Sequence, residues 1–495
     1  MITKDMILNK KILCISLLLL TIYNIAYFYF GERIPLNNGF GWDGNIYAGY
    51  VQNFWSHISH TDDLYHINRL LPSFIIYCLL KLVHLDTYSP RNIVNGFMIL
   101  NSISFILTGY FWYKICDAKR FSLNTYWIGF ISLFINFLAL KHNLYDAVLT
   151  DTAAIFLGML TLYFYVKKNY VLLAACLIPA YFTWPISIVL IVPLLLFTKP
   201  HYINKPLTRT EQNWSYLLTT IFIFICIYLT YIMGNTKIVS NSIDIFYPAL
   251  PLSILITALF IYFVLLYSRL LMSLKNLIAI NYYNVPLLII SGTICSIIYI
   301  WLKHHMPHYA TDKSIFTLYD LFTTCILGAI AKPGLFLIAH LAFLGPVVVL
   351  ILLLGKDLLE QSQQESLGLT IFLIATAALA LNSQTRQIDF NYPFVVYALC
   401  LALNNKTFSK KSLFVYLFVA IIISKVYYLI NVAPLTGSVL DFPLQRLMMN
   451  SGTYMGWTGY FVNMSLFIFA FIGIQRCFYL KQSLYVDDTQ PIKIT

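Results

Sequence analysis

The chain has 495 residues, 59% of them hydrophobic and only 11% charged, with a formal net charge of +12. A soluble domain carries about 25% charged residues, so this composition excludes an ordinary soluble globular protein. The positive balance does not point to nucleic acid either: no Lys/Arg run exceeds two residues, and the basic residues gather at the ends of apolar stretches, as in the loops of membrane proteins.

Apolar stretches recur along the whole chain, at about 11–30, 93–113, 124–140, 151–166, 170–183, 185–198, 214–233, 248–268, 285–302, 334–354, 367–382, 391–404, 412–431 and 457–475. Read as membrane-crossing helices of roughly 20 residues, they predict about fourteen transmembrane helices in an all-α, single integral membrane domain over 1–495. The first stretch is too long and aromatic for a signal peptide and is expected to be retained. The segment 66–85, with Arg69, Pro72 and Lys81, is expected to lie on the membrane surface. Excluding it from the crossings puts Lys114 to Arg120, Lys199 to Arg209 and Lys406 to Lys411 on one face. That face is the cytoplasmic one by charge, and both termini share it. The outer loops then include 31–92, which is the longest, and 303–333. Pro179 and the Trp184-Pro185 pair break what would otherwise be one long helix, because proline removes a backbone donor and disfavours helix just before itself. The nine cysteines form no CxxC and mostly sit in apolar stretches, so they read as core residues.

Polar chemistry concentrates in the outer loops. The first holds Gly41-Trp42-Asp43-Gly44-Asn45-Ile46-Tyr47, then Asp62, Asp63, His66 and Arg69. Asp146 and Asp151 lie where the third stretch ends and the fourth begins. Arg386 and Asp389 precede Tyr392-Pro393, and His304, His305 and His308 open the loop 303–333. Pro307 interrupts helical spacing among these histidines, so no metal site is expected, and no cofactor. A carboxylate at the mouth of a helical bundle is expensive and usually functional. Each acid also has a plainer reading: Asp43 as a helix cap, Asp62 and Asp63 as a solvated turn, Asp151 as a first-turn residue favoured by the helix dipole.

An acid soon after the first span, in a long first outer loop, resembles the GT-C superfamily of membrane glycosyltransferases. The order Asp43, the 66–85 segment, Lys119-Arg120 and Thr150-Asp151 is similar to its aminoarabinose-transferase and protein mannosyltransferase branches. Arg386 before Tyr392-Pro393 continues the likeness. Asp43-Gly44 stands where the branch has an Asp-Glu pair, Arg69 and Pro72 where it has lysine and a double proline, and Trp184 near an expected lysine. The resemblance implies a polyprenyl-phosphate sugar donor, a glycan, lipid or protein acceptor, and a bilayer setting, here the inner membrane of a bacterium with the active site outside. It implies Asp43 as base, helped by Asp151, Asp62 or Asp63. Arg386, Arg69 and His304 would contact the donor phosphate, and Trp42, Tyr47 and Asp146 the sugar or acceptor. The alternatives are a polysaccharide polymerase or ligase, and a lipid-linked glycan transporter or flippase.

Overall fold

The computed structural model describes residues 9–60, 64–200, 208–234, 245–269, 280–306, 318–404, 406, 408–430, 447 and 452–479. Asp62, Asp63 and His308 lie outside them. Every element among the described residues is helical, with no strand. Six helices are long and apolar enough to cross a membrane: Lys10–Phe30 (α1), Arg209–Tyr231, Tyr247–Ser268, Tyr282–His304, Trp457–Phe478 and the 30-residue Pro90–Lys119. Two bent pairs raise this to eight: Leu123–Phe134 with Leu138–Tyr145, at 54°, and Thr323–Ile330 with Leu335–Leu344, at 93°. The protein is therefore an all-α membrane protein.

The difference from fourteen expected crossings has local causes. The stretch 170–183 is two short helices, Tyr170–Ala175 and Leu177–Tyr181, and Ser187–Leu196 follows after the Trp184-Pro185 turn. The stretch 334–354 is cut at Gly345, which ends its helix at φ +79°, followed at once by Pro346. A left-handed glycine and then a proline form a standard helix stop. Residues 318–330, expected within an outer loop, are helical.

The loop between α1 and Pro90 holds a series of short helices: α2 (Gly44–Gln52), α3 (Phe54–His60), α4 (Leu64–Ile67) and α5 (Leu71–Leu82). At 12 residues, α5 is about 18 Å long, too short to cross a hydrocarbon core of about 30 Å. It rests on the first turns of α6 (Pro90–Lys119), where Ile76 sits against Gly96. Pro90 opens α6, a position where the missing N–H costs nothing.

At 30 residues α6 is the longest described helix, and it keeps an exposed apolar face at Ile99, Ile103 and Leu107. Near its start, Asn101 donates to the carbonyls of Asn143 and Ala147, at 3.0 Å each. Its far end carries Lys119, paired with Glu365. Eighteen residues separate Asn101 from Lys119, about 27 Å of helix. The helix Asp151–Val166 (α7) packs along it in the same direction, with Tyr165 bonded to Ser366 at 2.6 Å at that same far end. The 115–120 segment and the acids of the first loop thus occupy opposite ends of the bundle.

Candidate functional site

Asp43 occupies the N-cap position of α2, yet its side chain makes no capping hydrogen bond. It turns to Arg386, whose Nη1 lies 3.3 Å from Asp43 Oδ2. The same guanidinium holds Asp151 with two parallel bonds, Nε to Oδ1 at 2.6 Å and Nη2 to Oδ2 at 3.0 Å. This is the fork-to-fork geometry that only arginine provides. Three residues separated by more than a hundred positions are thereby joined into one cluster. Their exposure differs in a way that assigns work. The Asp151 side chain is 3% exposed and Asp43 is 44% exposed, so Asp151 is committed to Arg386 while Asp43 keeps an open face.

The backbone explains why these side chains meet. Gly41 has φ +76°, and a β-carbon there would lie 2.6 Å from Asp146 Oδ1. One at Gly44 would lie 2.7 Å from the Val148 carbonyl. The two glycines let the first loop press directly onto the 145–148 turn, and Ile34 N–H donates to the Tyr145 carbonyl at 3.0 Å. On the other side, the Phe390 carbonyl reaches α7 at Gly158, which seats the Arg386 turn beside Asp151. That turn, Thr385–Ile388, is pinned from behind: Ser383 Oγ donates to the Gly328 carbonyl at 2.8 Å, and Thr385 meets His340 Nδ1 at 3.0 Å.

Two further carboxyls complete the cluster. Asp146 is buried, and that burial first, then the charges of Asp151 and Asp43, push its carboxyl up to about 7 against the opposing pull of Arg386. Asp389 is completely buried beside Asp151. Burial and the Asp151 charge hold it well above the usual carboxylate range. Burial thus disfavours the charged forms of Asp146 and Asp389, while Arg386 pairs with Asp43 and Asp151. His142, which the sequence did not single out, has Nε2 4.0 Å from Asp151 Oδ1. It follows Lys141 just past the stretch 124–140, and its approach to Asp151 depends on the bend after Phe134, a tertiary feature.

Arg69 forms a second centre. Its guanidinium lies over both Tyr65 and Trp184, 4.4 Å from each ring centre. Tyr47, one turn after Asp43, is fully buried and offers no ring face for stacking on a sugar; its hydroxyl lies within the electrostatic reach of Arg69, Asp43 and Arg386. Trp42 is partly buried beside Asp43. His304 is exposed at the end of Val285–His304, next to His305, and makes no contact with Arg386 among the described residues. No group of three metal-ligating side chains occurs among the described residues.

No protein-family model, no curated protein and no solved structure matches the chain.

Proposed function

We propose that the protein is a membrane glycosyltransferase of the GT-C kind, which moves a sugar from a polyprenyl-phosphate donor to a glycan, lipid or protein acceptor at the outer face of the membrane. The observation that carries this reading is the Arg386 bridge between Asp151 and the open carboxylate of Asp43. An inverting transfer needs one base, near the reacting centre and reachable by substrate. Asp43 takes the proton of the acceptor hydroxyl as that oxygen attacks the anomeric carbon. The bond from the anomeric carbon to the phosphate oxygen breaks, and the carrier phosphate leaves with the electron pair. The leaving group is already stable as an anion, so positive charge beside it serves better than an acid. Arg386, Arg69 and His304 are the cations proposed for that task, and the shorter apolar helices would complete a bundle of about fourteen crossings. Arg386 is first engaged by two acids, so its prime role is to hold the base in place.

Asp43→Asn retains shape and hydrogen-bonding reach but removes the basic oxygen. General-base catalysis is worth about 10²–10⁴-fold, and transfer by the purified variant should fall by that factor while donor binding persists. The assay pairs a panel of polyprenyl-phosphate sugars with a binding measurement. Full turnover in Asp43→Asn would reject Asp43 as base; lipid-linked glycan movement without transfer would favour the flippase reading instead.

A further inference from the structure

A cavity of about 360 Å³ lies behind the Arg386 turn, and Asp43, Asp151 and Arg386 do not line it. Its walls come from Tyr247–Ser268, Leu335–Leu344, Val347–Glu365 and Leu367–Ala380, closed by the segment from Ile388 to Val395. No Lys, Arg, Asp or Glu occurs among its described lining residues. The polar side chains in the wall are those of His340, Thr376 and Tyr392, and each is already engaged. His340 Nε2 donates to the Ala380 carbonyl at 2.6 Å and Nδ1 meets the Thr385 hydroxyl at 3.0 Å. Thr376 donates to the Phe372 carbonyl at 2.8 Å and accepts from Asn391 at 2.9 Å. The Tyr392 hydroxyl donates to the Ser132 carbonyl at 2.5 Å. With its polar hydrogens spent on protein, the wall offers a ligand apolar contact alone. One lining residue, Leu259, is 58% exposed and lies near the middle of the 22-residue span Tyr247–Ser268. The mouth therefore opens at hydrocarbon depth. Along Val347–Glu365 the lining runs from Val348 to Leu359, about 16 Å of helix. That is half of a hydrocarbon core of roughly 30 Å, the depth of one leaflet.

We infer that this cavity is a binding site for one fatty-acyl chain of a bilayer phospholipid, which packs behind the Arg386 turn. Such a chain has the length of one leaflet, carries no group the wall would have to satisfy, and is the ligand at hand where the mouth opens. An apolar void of this size stays dry when empty, so its lining forfeits packing contacts that a chain restores. The chain touches the Arg386 segment directly at Ile388 and Tyr392. Through the His340–Thr385 and Thr376–Asn391 bonds it also steadies that segment on both sides of Arg386. The site stands independently of the reaction proposed above.

The test is photolabelling of the full-length protein in vesicles of diphytanoyl phosphatidylcholine, whose chains are methyl-branched. The probe is a phosphatidylcholine with a diazirine in one palmitoyl chain, doped into those vesicles. It should label the lining segments 348–359 and 373–380 saturably, and dipalmitoyl phosphatidylcholine should compete. Ala377 lines the cavity, and Ala377→Trp should fill it. Labelling of the two segments should then lose most of its value, while labelling of the exposed Leu252 and Leu255 stays unchanged. Dipalmitoyl phosphatidylcholine should raise the melting temperature of the parent by several degrees over the branched lipid, because a ligand stabilises the state that binds it. Ala377→Trp should lose that rise. Leu352→Phe, at another lining position, makes the same test if Ala377→Trp does not fold. Labelling of the two segments that does not saturate, or that is equal in the parent and the filled variant, overturns the inference. So does an equal rise in melting temperature for both proteins. Competition by geranylgeranyl phosphate but not by dipalmitoyl phosphatidylcholine would overturn the choice of an acyl chain and give the cavity to an isoprenoid tail.

Discussion

Removing Arg386 takes away the group that makes two carboxylates tolerable in one place. Asp151 would remain buried and charged with only His142 nearby, at 4.0 Å. Breaking a buried pair by deleting one partner typically costs about 3–5 kcal/mol, so Arg386→Ala should lower thermal stability sharply. Adding Asp151→Asn to that variant removes the stranded charge and should recover part of the loss, readable as melting temperature by intrinsic fluorescence. If Arg386→Ala melts like the parent, the pair is not structural. Asp146 makes a second case at this scale. Its folded carboxyl titrates near 7, above the ordinary value of 3.8. The folded state therefore holds a proton that the unfolded chain has released. By linkage, Asp146 makes stability fall as pH rises from about 4 to 7, by at most about 1.4 kcal/mol per pH unit, and adds no further slope above that. Asp146→Asn should flatten that segment of the stability–pH curve. An identical slope in the variant would remove Asp146 from the account. The charges of Asp43, Asp151, Arg386 and Arg69 at or near the ends of apolar stretches are legible in the sequence. Their partners are not. Whether Asp43 caps a helix or pairs with Arg386 is a choice between a contact in its own turn and one 343 residues away, and only the folded chain makes it.

At the scale of elements, the site is a matter of how closely backbones approach. Gly41 meets two constraints at once, a left-handed φ of +76° and the Asp146 carboxylate 2.6 Å from where a β-carbon would stand. Gly44 meets the backbone carbonyl of Val148, which cannot rotate away. Alanine at either position should part the first loop from the 145–148 turn, with a loss of about 1–3 kcal/mol of the kind overpacking produces. Donor turnover should fall with it, because Asp43 rides on that loop. Gly292 is the contrast: a β-carbon there would meet nothing within 4 Å. Gly292→Ala lies inside the helix Val285–His304 and should be neutral or stabilising by up to about 1 kcal/mol, through helix propensity. Equal behaviour of the three variants would contradict this account. The break at Trp184-Pro185 follows from the chemistry of proline, whereas the stretch 334–354, expected to be one crossing, is cut at Gly345-Pro346. The bend after Phe134 and the helix inside 318–330 carry no comparable mark, since they depend on what packs against them.

For the whole molecule, the testable feature is that the two ends of α6 differ in kind. The Lys119–Glu365 and Lys406–Asp357 pairs lie toward one end, and the Asp43–Arg386–Asp151 cluster lies at the other. In a background lacking the exposed Cys14 and Cys78, single cysteines at the exposed positions Ser59 and Arg120 should react with a membrane-impermeant thiol reagent from opposite sides. Labelling of both from the same side would refute the topology and the sidedness proposed for the site. Composition and hydropathy alone determined that this is an all-α membrane protein, because burying polar backbone in lipid leaves helices as the ready solution for long apolar stretches. Charge at the loop ends singled out the residues worth watching. Which stretches are long enough to cross, which acid keeps an open face, and that Trp184 and Tyr65 enclose Arg69 were decided only by the tertiary structure. Pairing across hundreds of residues depends on packing geometry, and a local reading of sequence contains no distances.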